Sequence, residues 1–247
     1  MDTVEILGLR FFDGTAEQAV EQTCQHGGVV TVPAAPALVR LQHDPIYQRA
    51  MLTADLTLPD SGLMVLSWRL LWHQNLRRVS GLAYLKALVR QDRFRQDVAK
   101  CFVLPSQRAK EKLLEWAGAA NLPVEAQHCY IAPLYSIQVE DKALVAQIER
   151  TRPRHVVIAI GNGPQEKLGI YLREHLSYLP AIHCIGAALG FLTGDQVTIP
   201  VWADRFYLGW LFRLISQPRV FVPRLAKAAV LPWLIFRYGK KLPDNRK

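Results

Sequence analysis

Three polar segments stand where a strand-like run gives way to a helix-like one, and each carries groups able to do chemistry. The first is Thr31, at the end of the run Gly28 to Val32. Its hydroxyl can bond a phosphate or a sugar, or simply cap the helix that follows. The second is Pro59-Asp60-Ser61-Gly62. A carboxylate at a strand end is a good general base, but Asp is also a preferred N-cap, and the two roles compete for the same lone pairs. The third is Ile160-Gly161-Asn162-Gly163-Pro164-Gln165-Glu166. Its two glycines let the backbone approach a ligand closely, and a helix N-terminus favours an anion. Gln165 and Glu166 add polar groups there, with Glu166 also placed to complement the helix dipole. The third glycine of a dinucleotide fingerprint would fall at Glu166, and no Gly-Lys-Ser/Thr follows, so neither that motif nor a phosphate loop is present. Arg77-Arg78 supplies cations near a helix start, with a solvated surface pair as the competing reading.

The segments that must position these residues alternate in type. Strand-like runs are Val4 to Leu9, Gly28 to Val32, Asp55 to Pro59, Lys100 to Leu104, Val124 to Ile131, His155 to Ile160 and Ala181 to Ile185. Helix-like stretches lie between them. Thr15 opens one, because Thr-Ala-Glu-Gln places an acceptor three residues after the cap. The alternation predicts an α/β fold with a Rossmann-like, mostly parallel sheet covered by helices on both faces. Ligands of such sheets bind at the carboxyl ends of the strands, where all three polar segments fall. After Ile199-Pro200 the strands stop. Phe206 to Ser216 and Pro223 to Phe236 read as short or proline-kinked helices. The expected division is a Rossmann-like domain over 1–200 and a basic amphipathic appendage over 201–247.

Charge sharpens that division. The chain has 247 residues and a formal charge of +9, and from Arg205 onward there are ten basic residues against Asp244 alone. A neutral body therefore carries a basic tail, which points to an anionic partner met at one place. Such a distribution argues against a nucleic-acid binder, for which no recognised module is present either. Half the residues are apolar, enough for a packed core and too many for disorder. No apolar stretch is long enough to span a bilayer, and the acidic N-terminus lacks the plan of a signal peptide, so a cytoplasmic protein is expected. Trp210, Trp233 and Tyr238 among the tail's aliphatic and basic residues suit a helix lying in an anionic membrane interface. The four cysteines form no Cys-x-x-Cys pair and the histidines no metal-binding spacing, so no metal is assigned.

Taken in order, the segments resemble the WecG/TagA/CpsF glycosyltransferases over roughly Val29 to Arg224. Val30-Thr31 is similar to the family's TxN strand end. Ala54 to Gly62 resembles its "aDlvlpDG" segment with one residue inserted, and Arg78-Val79-Ser80-Gly81 its "RvaGtD". Gly161 to Glu166 resembles GxPxQE, and Ile185 to Gly194 resembles "vGgaFDFlaG". Ile199 to Trp202, Trp210 to Leu214 and Pro218-Arg219 resemble "aPrW…GLEWlyRL…ePrR". The resemblance implies an inverting, metal-independent transfer of an N-acetylmannosamine-type sugar from a UDP-sugar to a polyprenyl-diphosphate-linked acceptor, in cell-envelope or exopolysaccharide synthesis. No cofactor is implied beyond the UDP-sugar substrate. Asp60 would be the catalytic base. Thr31, Arg78, Gly161, Asn162, Gly163, Gln165 and Glu166 would bind sugar or nucleotide. Arg213, Arg219 and Arg224 would stabilise the departing diphosphate, as arginines must where no metal does so. The appendage would close over the site and meet the inner face of the cell membrane. Homo-oligomerisation is left open.

This chain departs from the pattern at several polar positions. Pro33 replaces an Asn, Leu82 or Ala83 the Asp of "GtD", Gly190 the Asp of "FDF" and Gly209 the Glu of "GLEW". These changes keep a second reading alive, a catalytically inactive scaffold that binds a nucleotide sugar or lipid diphosphate at the membrane. They also fit an enzyme with a different donor or acceptor.

Overall fold

The structure, a computed structural model, describes residues 2–196 and 218–244. Its strands are β1 (Thr3–Ile6), β2 (Leu9–Phe12), β3 (Gly28–Thr31), β4 (Leu56–Thr57), β5 (Lys100–Leu104), β6 (Cys129–Ile131), β7 (His155–Ile158) and β8 (Ala181–Cys184). The helices are α1 (Ala16–His26), α2 (Ala35–Val39), α3 (Pro45–Leu52), α4 (Gly62–Trp72), α5 (Gly81–Leu88), α6 (Asp92–Gln96), α7 (Gln107–Ala119), α8 (Lys142–Thr151), α9 (Pro164–His175), α10 (Ala188–Thr193), α11 (Pro218–Ala228) and α12 (Leu231–Tyr238). The strands form one sheet in the order β1-β2-β4-β3-β8-β7-β5-β6. Only the β1-β2 pair is antiparallel.

The β-branched density of the inner strands has a direct cause: both their faces are buried. Along β7, Val157 packs with the helices α1, α5 and α7, while Val156 and Ile158 pack with α8 and α9. A strand covered on both sides reads as a continuous apolar run rather than an alternating one. The helices begin where side chains accept their first N–H groups. Thr15 and Gln18 close a capping box, and Ser80, Ser106 and Asp141 accept from the residues three positions on.

Four expectations need correction, among them Val124 to Ile131, which is a 3-10 turn (Ala126–His128) followed by a strand over Cys129–Ile131 alone. Val4 to Leu9 is not one strand, because the chain reverses at Leu7 (φ 52°) and Gly8 (φ 75°) and returns as β2. Leucine is a poor residue for a left-handed turn, and the turn is held from outside: the Leu7 and Gly8 N–H groups donate to Gly239 O at 2.8 Å and Lys240 O at 2.9 Å. The helix expected over Pro223 to Phe236 is two helices, α11 and α12, with Pro232 in the first turn of the second. Pro223 lies inside α11. The asparate-bounded run Asp55 to Pro59 keeps only two paired residues. The expected helix over Phe206 to Ser216 and the boundary at residue 200 lie outside the described residues. Within 201–247, Leu231, Leu234 and Ile235 are fully buried with Trp68, Met64 and Phe11, so α12 is part of the body's core.

Two histidines scattered in sequence meet under the sheet. His155 Nδ1 lies 3.1 Å from His183 Nε2, and His183 Nδ1 lies 2.8 Å from the Tyr84 hydroxyl. Phe94 packs edge-on to His155, and Lys100 sits over Phe94. Burial pushes His155 down from 6.5 to about 4, Asp97 opposing and Lys100 assisting, and burial pushes His183 well below its ordinary value. Both folded values lie below the unfolded one, so the unfolded chain takes the protons first. Stability is therefore full above about pH 6.5 and falls as the pH drops toward 4. At pH 5, His155 alone should remove about 2 kcal/mol. Urea midpoints measured at pH 7.5 and pH 5 check this, and His155→Phe should flatten the difference.

Candidate functional site

The carboxyl ends of β3, β4, β7 and β8 converge, and the polar segments converge with them. At the end of β4, Ser61 rather than Asp60 caps α4: its hydroxyl accepts from Met64 N at 3.2 Å. Asp60 is thereby released from its own helix. Its Oδ1 accepts from Gly81 N at 3.1 Å, at the first turn of α5. Arg78 folds back on the same residue, donating from Nε to Asp60 O at 2.7 Å and placing a terminal nitrogen 3.8 Å from Oδ1. The carboxylate thus sits between a helix N-terminus and a guanidinium. It is one-quarter exposed.

Gly81 ties Asp60 to the neighbouring strands. A side-chain carbon placed on Gly81 would lie 3.2 Å from Val32 Cγ1 and 3.6 Å from Ile185 O, so α5 starts directly against the ends of β3 and β8. On the other side of β3, Asn162 Nδ2 donates to Val32 O at 3.3 Å. Val32 is therefore the residue about which the Asp60 and Gly161–Glu166 segments meet. Thr31, just before it, is fully buried, with its hydroxyl 3.1 Å from that of Thr57. It does not cap the next helix, whose N-cap is Ala34 with no side-chain bond. Thr31 is in register with Cys184, whose carbonyl accepts from Gln165 Nε2 at 3.3 Å.

The Gly161–Glu166 turn is organised by Glu166. Gly161 and Gly163 have φ of 99° and 103°, values that suit glycine. Glu166 is fully buried. Its Oε1 accepts from Asn162 Nδ2 and Gln165 Nε2, both at 3.0 Å, and its Oε2 accepts from Gly163 N at 2.5 Å. Burial pushes this carboxyl up, and hydrogen bonds from Gln165, the Gly163 N–H, its own N–H and Asn162 pull it back. Around Gly161 the space next to the missing side chain is open.

Two neighbours of this turn were not singled out by the sequence. Arg40 lies so close to Gly163 that any side chain there would collide with its guanidinium. Tyr47, fully buried, has a hydroxyl with no hydrogen-bond partner among the described residues, and burial and the nearby Glu166 both push it up. Beside them opens a cleft of about 390 Å³, lined by Arg40, the Asp44–Lys167 ion pair at 2.7 Å, and Tyr135. Arg40 and Tyr47 follow Thr31 in a helical stretch with no motif. The packing of α3 on α9 brings Tyr47 to the turn, and Arg40 lies in a 3-10 turn (Arg40–Gln42) that packs on α3.

Of the arginines expected at the diphosphate, Arg213 lies outside the described residues. Arg219 and Arg224 are exposed on α11, which packs on α2 just beyond the end of β3. No three His, Cys, Asp or Glu side chains converge as a metal site among the described residues.

A carboxylate at a strand end, a neighbouring arginine and a polar glycine turn together suit group transfer onto a hydroxyl. The chain is similar to an N-acetylglucosaminyldiphosphoundecaprenol N-acetyl-β-D-mannosaminyltransferase of Bacillus spizizenii, at 24% identity over 196 residues, 78% of this chain and 74% of that protein. Residues 4–245 match the Glycosyl transferase WecG/TagA/CpsF family, and the chain belongs to it.

Proposed function

We propose that this glycosyltransferase moves an N-acetylmannosamine-type or related sugar from a UDP-sugar to a polyprenyl-diphosphate-linked acceptor, with inversion and without a metal. The observation that carries the reading is Asp60, freed from capping α4 and held at the mouth of the strand ends by Gly81 N–H and Arg78. Asp60 takes the proton from the acceptor hydroxyl as its oxygen attacks the anomeric carbon. The bond from that carbon to the diphosphate oxygen breaks, and the electron pair leaves with UDP. Arg78, with Arg213, Arg219 and Arg224 from the tail, offsets the charge gathering on the departing phosphate. The relative's printed specificity supports the sugar and acceptor classes. The inactive-scaffold reading draws on Pro33 and Gly190, but the retained Asp60 and its arginine favour the enzyme. A thermal-shift screen of UDP-sugars in detergent tests the proposal. The true donor should raise the midpoint by several degrees, by mass action on the folded state, and no response to any uridine nucleotide would sink it.

The proposed site of action is the inner face of the membrane, reached peripherally; no described helix is long and apolar enough to cross one. Support comes from two packed helices. Leu66 and Leu70 on α4 are 48% and 75% exposed, and Trp233 and Phe236 on α12 are 45% and 70% exposed. Arg69, Arg237, Lys240 and Lys241 are exposed around them. An apolar face with a basic rim suits insertion among anionic headgroups. Leu66→Glu/Leu70→Glu should lower partitioning onto phosphatidylglycerol-containing liposomes by tenfold or more. Because both side chains are exposed, the thermal midpoint should stay within a few degrees. Unchanged flotation of the double variant would remove α4 from the contact.

A further inference from the structure

The hydrogen bonds of the Gly161–Glu166 turn fix more than its shape: they fix the orientation of each amide. Asn162 Nδ2 spends its hydrogens on Val32 O at 3.3 Å and Glu166 Oε1 at 3.0 Å. Gln165 Nε2 spends its own on Cys184 O at 3.3 Å and on the same Glu166 oxygen at 3.0 Å. Every group facing these two nitrogens is an acceptor. Reversing either amide would set oxygen against oxygen, so the network itself assigns the orientation. The remaining atoms, Asn162 Oδ1 and Gln165 Oε1, can only accept. Gln165 Oε1 is fully buried and has no partner among the described residues, a state that calls for a reason. Both oxygens lie beside Gly186. A side-chain carbon placed on Gly186 would stand 3.4 Å from the Gln165 amide and 3.8 Å from Asn162 Oδ1.

The turn is also closed to anions in the way a glycine-rich helix start usually is not. The Gly163 N–H, which would point at a phosphate, already donates to Glu166 Oε2. Phosphate oxygens offer no hydrogens to Asn162 Oδ1 or Gln165 Oε1 at neutral pH.

We propose that Glu166 is a positioning residue that polarises Asn162 and Gln165 into a paired-acceptor edge, and that this edge reads two hydroxyl donors of the sugar nucleotide rather than its diphosphate. The inference rests on the UDP-sugar reading above and names which part of that ligand this turn takes. Two parts of the ligand carry such hydroxyl pairs, the ribose and the transferred hexose. The diphosphate is left to the arginines around Asp60 and the tail.

The test is Glu166→Gln. A glutamine can turn its oxygen toward Gly163 N–H or toward the two amides, but not toward both. Either the cap is lost or an N–H faces Asn162 and Gln165 and turns their amides round. Titration calorimetry of wild type and variant against UDP and against UDP-N-acetylglucosamine or UDP-N-acetylmannosamine reads the effect. Binding weakened tenfold or more for UDP and UDP-sugar alike places the edge on the ribose. A loss confined to the UDP-sugar places it on the hexose. A folded variant that binds all of them as tightly as wild type overturns the inference while leaving the enzyme reading intact. Wild-type protein that binds no uridine nucleotide takes down both. A second measurement needs no variant. In ¹⁵N spectra of the wild type, the Asn162 and Gln165 side-chain amide protons should exchange slowly, both free and with UDP-sugar bound. Rapid exchange of either pair would show that its hydrogens face the ligand, and the assignment would fall.

Discussion

A chain ending after Val222 should fail to hold its fold. The neutral body and basic tail suggest otherwise on charge alone, since a tail that only meets lipid is dispensable. The packing decides against this. Leu231, Leu234 and Ile235 are fully buried against Trp68, Met64 and Val65 of α4. Removing three such side chains forfeits about 1.5–3 kcal/mol each, before the exposure of Trp68 is counted. The sum approaches the 5–15 kcal/mol that holds a typical domain together. The deletion also takes away Gly239 O and Lys240 O, the acceptors for the Leu7–Gly8 turn. The expected result is a truncated protein without a cooperative thermal transition, or one that melts more than ten degrees lower. A truncated form as stable as the full chain would show that α12 is an appendage after all. Liposome experiments therefore belong to the exposed positions Trp233, Phe236, Arg237 and Lys240, not to deletions.

Asp60→Asn should lower transfer by roughly a hundredfold to ten-thousandfold, the range for loss of a general base. The asparagine can still accept the Gly81 N–H through its side-chain oxygen, and the Arg78 bond is to the main-chain carbonyl. The helix start at α5 and the strand end thus survive, and UDP-sugar binding should change by less than about threefold. Steady-state rates with a lipid-diphosphate acceptor analogue, paired with calorimetry, separate these effects. A variant that turns over at the wild-type rate would require another base. One that loses binding as well would make Asp60 a structural anchor of Arg78.

Much of the architecture is legible before any coordinates. Buried strands announce themselves by β-branched runs, as at His155 to Ile160. Local helix starts announce themselves by caps, as at Thr15 and Ser106. The strand-end rule then gathers Thr31, Asp60 and Gly161 to Glu166 on one edge of the sheet. What stays hidden depends on contacts between distant parts. Nothing local marks Leu7 as a turn residue, because its conformation is supported by carbonyls near residue 240. Whether Asp60 caps α4 was an even choice in sequence, and Ser61 settles it by taking the bond instead. His155 and His183 look unrelated until β7 and β8 pair in register. Arg40 and Tyr47 reach the glycine turn only through helix packing. The amide orientation of Gln165 is set by Glu166 and the Cys184 carbonyl, contacts that no spacing rule contains.

The bond between the Leu7–Gly8 turn and Gly239–Lys240 also imposes an order on biosynthesis. The two partners are more than two hundred residues apart in the chain. At about 5–20 residues per second, the first strand pair waits tens of seconds on the ribosome before its clasp exists. During that interval the apolar face of α4 has no α12 to cover it. The body therefore closes only as α12 and Gly239–Lys240 emerge, so the first strand pair and one of the last helices complete the fold in a single event.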